Sequence, residues 1–181
     1  MTMPTDAELK QIVQEVLQRT LEHQPGTVPT SGGCNGKTVA IGADHGGFQM
    51  KESLKGFLSE NGYTVVDCGT YSTDSVDYPD LAQAVAVKVA SGEACRGIII
   101  DGAGIGSCMA ANKVRGVRAA MCYDYATAFN SREHNNANVL TLGAGLIGLN
   151  LAKQIVDTFL TTEFGGGRHA TRVDKIMAIE K

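Results

Sequence analysis

Residues 96–113 read RGIIIDGAGIGSCMAANK. Ile98, Ile99 and Ile100 form an unbroken β-branched run, the pattern of a strand buried on both faces rather than one alternating between core and water. The run ends on Asp101. Gly102, Gly104 and Gly106 then allow a sharp turn and a close backbone approach, and Ser107 onward reads as the start of a helix. Successive amides in such a turn, backed by a helix N-terminus, point at negative charge, so the loop is an anion hole in prospect. Taken alone, three glycines would serve a tight connection equally well. Two nucleotide motifs are excluded, because G-x-G-x-x-G would need glycine where Ser107 stands and no G-x-x-x-x-G-K-[ST] occurs.

Outward from this segment, strand and helix alternate from Lys37 onward. The pattern predicts strands over 38–43, 64–68, 97–101, 117–122 and 138–142, and helices over 47–60, 79–91, 106–113, 125–133, 145–160 and 172–179. Strict alternation with short connections implies right-handed crossovers and a parallel sheet covered on both faces. The fold class is therefore α/β, a doubly wound five-stranded parallel sheet of the flavodoxin-like, Rossmann-type three-layer kind. Ligands of such sheets sit at the carboxyl ends of the strands, so the chemistry is expected there. Candidates in chain order are Asp44 and His45 in GADHGGF, Tyr78 in VDYPD, Asp101 and the glycine loop, and His134 and Asn135 in SREHNNAN. Near the C-terminus, GGGRHATRV supplies Arg168 and Arg172, on one helical face if the helix starts early, a common way to hold a phosphate.

Residues 1–23 stand apart. Leu9, Ile12, Val13, Val16, Leu17 and Leu21 recur at helical spacing, and Thr5 with Glu8 fits a capping box, so an extra N-terminal amphipathic helix is expected. Residues 24–36, QPGTVPTSGGCNG, read as a flexible linker, which leaves 37–181 as the folded domain. A helix tethered this way suits packing on its own domain, pairing in an oligomer, or docking in a partner's groove.

The 181 residues, 43% apolar and 19% charged, have the size and balance of one soluble domain. A net charge of -3 offers no basic footprint for nucleic acid. No apolar run approaches a membrane span and the N-terminus lacks the build of a secretory signal, so a cytosolic location is expected. The five cysteines, Cys34, Cys68, Cys95, Cys108 and Cys122, show no C-x-x-C spacing and read as small hydrophobes kept reduced. His23, His45, His134 and His169 lack metal-ligand spacing, and neither a metal nor another cofactor is expected.

ADHGGF, GT…DYPDLA, GAGIG…AANK, SREHNNANVL and GGRH…RV, in this order and spacing, resemble the ribose-5-phosphate isomerase type B family, which includes the galactose-6-phosphate isomerase subunits. The resemblance covers about Lys37 to Glu180. It implies a metal-free aldose-ketose isomerase acting on a sugar phosphate, ribose 5-phosphate to ribulose 5-phosphate by default, as a homodimer or homotetramer with shared active sites. It also implies that His134 helps open the sugar ring and that Asp44 and Tyr78 line the substrate pocket. His45, Arg168 and Arg172 would address the phosphate, some of these groups reaching over from the neighbouring subunit. The amides around Gly102, Gly104 and Gly106 would stabilise a cis-enediolate. Residues 1–23 resemble the encapsulation peptides that carry enzymes into bacterial microcompartments, which adds a shell or partner protein and a location inside such a compartment to the expectations.

The chain departs from the family at the site. The family's base is a cysteine at position 101 or a glutamate at position 107, where this chain has Asp101 and Ser107. Asp101 is then the expected base, with Cys108 a lesser candidate. Ala103 replaces a hydroxyl-bearing residue and Gly145 an arginine that contacts phosphate. Three readings follow: an active ribose 5-phosphate isomerase, an isomerase of a different aldose phosphate, and a catalytically silent subunit that completes a partner's site.

Overall fold

The computed structural model describes residues 36–180. The expected helix over 1–23 and all of the linker but Gly36 lie outside the described residues. The chain runs β1 (Thr38–Ala43), α1 (Phe48–Glu60), β2 (Thr64–Asp67), α2 (Tyr78–Ala90), β3 (Arg96–Asp101) and α3 (Ile105–Ala111). It continues through β4 (Ala119–Met121), α4 (Tyr125–Glu133), β5 (Val139–Gly143), α5 (Leu149–Thr161) and α6 (Arg168–Met177). All pairings are parallel, in the order β2-β1-β3-β5-β4. The order reverses between β1 and β3, which opens a crevice at their carboxyl ends.

The central strand is apolar throughout because it faces two cores. Ile98 and Ile100 pack with Leu54 and Leu58 of α1, Ala128 of α4 and Ile155 and Phe159 of α5. Ile99 turns to the other layer, with Ala82, Val85 and Val89 of α2 and Ala111 of α3. All three isoleucines are at most 1% exposed, and each such burial contributes roughly 1.5–3 kcal/mol.

Two helix starts differ from expectation. The α5 helix begins at Leu149 rather than 145, because the amides of Leu146 and Ile147 both turn back to the Gly143 carbonyl. The α6 helix begins at Arg168 rather than 172, directly after Gly166 and Gly167 at φ 59° and 53°. Its early start puts Arg168 and Arg172 on the same helix, one turn apart. The cysteines also need correction. Cys68, Cys108 and Cys122 are free thiols, but Cys95 is disulfide-bonded; it sits half-buried just before β3, at the amino end of the central strand.

On α1 the apolar stripe Leu54 and Leu58 continues one turn back into Lys51, which is fully buried. Its ammonium is 2.8 Å from both carboxylate oxygens of Asp67 at the end of β2 and lies 5.4 Å from the Tyr71 ring centre. Asp67 also accepts from Lys55 at 2.6 Å and from the Gly69 amide at 3.0 Å, and the Gly69 carbonyl accepts from Ala43 at 2.8 Å. A buried ion pair thus fixes the end of β1, one residue before Asp44. Burial acts to raise the Asp67 carboxyl, but the hydrogen bonds from Lys51 and Lys55 outweigh it and hold it below its ordinary 3.8. A depressed carboxyl stabilises the fold above its unfolded value and loses that contribution as pH falls through the folded one. Asp67→Ala should cost about 2 kcal/mol in urea unfolding at pH 7, because it leaves the buried Lys51 with only the exposed Glu52 carboxylate, 2.8 Å away. The gap to wild type should be constant above about pH 5 and shrink on acidification below 3.8.

Candidate functional site

The end of β3 builds its own loop. Asp101, 5% exposed, accepts through Oδ1 from the amides of Ala103 at 2.8 Å and of Gly104. Its Oδ2 accepts from the Ser107 amide at 3.1 Å and the Ser107 hydroxyl at 2.5 Å. A carboxylate has about four lone-pair sites, and four donors fill them. Gly104, at φ 80°, lies against the end of β5, where an added Cβ would stand 3.0 Å from the Leu142 carbonyl carbon. The amides of Gly102, Ile105 and Gly106 are left without an acceptor among the described residues. Ile105 and Gly106 open α3, so those donors carry the positive end of its dipole.

Beside this loop, across the β1–β3 pairing Ala43↔Ile100, stands Asp44, 9% exposed. Its Oδ1 accepts from the Gly47 amide at 3.0 Å. A Cβ added at Gly46 would stand 3.3 Å from this oxygen and 3.8 Å from the Gly102 amide nitrogen, and one added at Gly102 would meet nothing within 4 Å, so the two groups border open space. Gly46 also borders a cavity of about 380 Å³ between the start of α1 and the turn before α5, lined by Gln49, Met50, Ala144 and Gly148. The Tyr78 ring covers the loop from the other side: a Cβ at Gly106 would lie 2.5 Å from its ring carbon Cζ and 2.7 Å from its hydroxyl. His45 accepts from the Val76 amide on Nδ1 at 3.3 Å, so its proton sits on Nε2, available as a donor. At Gly145 the amide donates to the Gly102 carbonyl at 3.0 Å, and a side chain there would press on that oxygen at 3.0 Å.

The remaining expected residues do not join this cluster. The α4 helix carries the chain back from the carboxyl end of β4, so His134 and Asn135 lie at the amino edge, just before β5. The expectation that all candidates gather at the carboxyl edge is corrected for these two and for Arg168 and Arg172. Asn135 donates to the Asn130 carbonyl at 3.4 Å. The His134 ring stacks on His169 with centres 4.2 Å apart and planes 6° apart, and its Nε2 is 3.1 Å from Glu133 Oε2. Burial first, then the charges of His134, Arg168 and Arg172, lower His169 below its ordinary 6.5.

Arg132, 1% exposed, holds this corner. It donates to Asn136 Oδ1 at 3.0 Å, to the Ala137 carbonyl and to the Thr162 carbonyl at 3.3 Å, with its guanidinium 5.7 Å from the Phe159 ring centre. Burial, then the nearby Arg96, brings it down to about 10.

Sequence reasoning gave no role to His169, Arg132 or Ser107. The one available signal was Ser107 at the third position of a helix, where side chains bond locally. Cys108 is a protonated, inert thiol: burial pushes it up and it donates to the Ala119 carbonyl at 3.4 Å. Among the described residues, no group of His, Cys, Asp and Glu could hold a metal ion, and no helix is long and apolar enough to cross a membrane.

The family model for Ribose/Galactose Isomerase matches residues 39–176. Ribose-5-phosphate isomerase B of Escherichia coli is 47% identical over 145 residues, 80% of this chain and 97% of that one. D-erythrulose-4-phosphate isomerase of Pectobacterium atrosepticum is 43% identical over 143 residues, 77% of this chain and 92% of that one. The solved structure of Clostridium thermocellum Ribose-5-Phosphate Isomerase B matches with a TM-score of 0.78 at 55% identity, over 79% of this chain and 97% of that one.

Proposed function

Because the chain belongs to the ribose/galactose isomerase family and is an aldose-ketose isomerase, we propose that it interconverts ribose 5-phosphate and ribulose 5-phosphate through a cis-enediolate. The observation that carries this reading is the set of unused amides of Gly102, Ile105 and Gly106, next to a strand-end carboxylate and an open space. Moving a proton between adjacent carbons needs a base at the carbon acid and donors fixed on the developing oxyanion. Asp44 and Asp101 are the carboxylates available for the first task, and the amides serve the second. Tyr78 closes the pocket over the loop. His45 supplies an Nε2 donor toward the phosphate.

The ring-opening and phosphate groups His134, Asn135, Arg168 and Arg172 stand at the far edge, and a six-residue strand such as β3 spans about 20 Å. A second copy supplies what one chain holds too far away: its amino edge meets the carboxyl edge of the first, in a homodimer or a homotetramer built from such pairs. Apolar side chains around the carboxyl edge support this pairing, with Ile105, Met109, Tyr123 and Leu146 between 48% and 64% exposed. A second substrate, the tetrose phosphate pair of D-erythrulose 4-phosphate, is favoured by Gly145, whose contact with the Gly102 carbonyl replaces a phosphate-binding side chain. Residues 1–23 serve delivery, docking by their apolar stripe on a microcompartment shell or partner protein.

Ribose 5-phosphate in deuterated water, followed by NMR, should yield ribulose 5-phosphate with deuterium at C1. Absence of both turnover and exchange, with this sugar and with D-erythrulose 4-phosphate, would leave the silent-subunit alternative. Asp44→Ala and His134→Ala chains, each inactive alone, should regain roughly a quarter of wild-type activity when refolded together in equal amounts, since half the pairs are mixed and each mixed pair has one intact site. No recovery would place the whole site within one chain. A reporter fused to residues 1–36 should follow the shell or partner; a reporter that stays diffuse in its presence removes the docking role.

A further inference from the structure

The two carboxylates at the β1–β3 crevice are not equivalent. Asp101 has all four lone-pair positions taken, by the amides of Ala103, Gly104 and Ser107 and by the Ser107 hydroxyl. To accept a proton from a substrate it would have to release part of the loop that shapes the anion hole. Asp44 is anchored through Oδ1 alone, by the Gly47 amide at 3.0 Å, and its Oδ2 has no partner among the described residues. A Cβ placed on Gly46 would stand 3.3 Å from Asp44 Oδ1 and 3.8 Å from the Gly102 amide nitrogen, and a Cβ on Gly102 would meet nothing within 4 Å, so the Asp44 carboxylate and the Gly102 amide stand on either side of Gly46 at the edge of open space. A base needs a free oxygen beside the oxyanion donors, and of the two carboxylates Asp44 is the one that keeps it.

Resting on the isomerase reading above, we propose that Asp44 is the base that transfers the proton between the two carbons, and that Asp101 is a positioning residue that aims the loop amides. In the forward direction Asp44 takes the proton from C2 of the aldose. The C–H electron pair becomes the C1–C2 double bond, and the carbonyl pair moves onto O1, which the Gly102, Ile105 and Gly106 amides receive. The O2 proton passes to O1, C2–O2 becomes the new carbonyl, and the neutral Asp44 carboxyl returns its proton to C1. The substrate is isomerised with no net gain or loss of electrons, and Asp44 ends as the carboxylate it began.

The test compares Asp44→Asn and Asp101→Asn full-length chains with wild type. It uses ribose 5-phosphate in deuterated water, or the aldose phosphate the wild type turns over, and the hydroxamate isostere of its enediolate as a binding probe. Asp44→Asn should lose on the order of 10³-fold in kcat and in exchange at C2 while binding the hydroxamate within about threefold of wild type. Asp101→Asn should keep measurable exchange, and its hydroxamate affinity should fall by the same factor as kcat/KM, because the oxyanion donors are misaimed. Formate added to Asp44→Ala should restore part of the exchange, which a purely structural role would not allow. The proposal is overturned if Asp101→Asn abolishes exchange with hydroxamate binding intact, or if Asp44→Asn retains turnover. A wild-type chain inactive on every sugar phosphate removes the isomerase reading itself, a result distinct from either variant outcome.

Discussion

The filled carboxylate of Asp101 is the contact on which the site depends. A buried anion must find donors or bear the cost of desolvation, and this one finds all of them in the six residues that follow it. The loop is therefore wound around its own strand end. The winding fixes which amides face inward and, by exclusion, that Gly102, Ile105 and Gly106 face outward. Neighbouring backbone closes on the same coil. An added Cβ at Gly143 would stand 2.6 Å from the Ala103 carbonyl oxygen, and Gly145 donates to Gly102. The outer amides are held rigid by contacts that never touch a ligand, which is what preorganised stabilisation of an oxyanion requires.

The sheet was legible because its signals are local. Ile98 to Ile100 read as a doubly buried strand, and the two cores they face are the reason. The α5 start was misread because Leu146 and Ile147 extend the apolar periodicity of the helix backward, while their amides in fact close a turn on Gly143. Lys51 was not legible at all. A lysine on an apolar stripe gives no hint of its partner when that partner, Asp67, is sixteen residues away on another element. The motifs named the candidate residues, but the edge they occupy follows from topology. Groups just after a strand sit at the carboxyl edge, whereas groups just before one, such as His134, have been carried back by the intervening helix. Nor does composition tell which way a strand-end carboxylate turns. Asp101 and Asp44 look alike in the sequence and differ only in how many donors the folded chain gives them.

The separation of charge across the sheet bears directly on this difference. Arg168 and Arg172 stand at the edge opposite Asp44 and Asp101. Were a guanidinium within reach of Asp44 in the same chain, the pair would attract by about 4 kcal/mol at 4 Å and an effective dielectric constant of 20. The open oxygen of Asp44 would then be occupied, as both oxygens of Asp101 are. Holding the cations a strand length away leaves Asp44 without a competing partner. Under the shared-site proposal, the phosphate-binding arginines of a second copy approach the crevice with a phosphate between them and the carboxylate. The anion they are suited to bind would then shield the carboxylate from them. Sharing the site between copies thus brings phosphate-binding cations and an unpaired carboxylate together on one substrate, an arrangement that a single copy of this sheet, with its two sets of groups on opposite edges, does not provide.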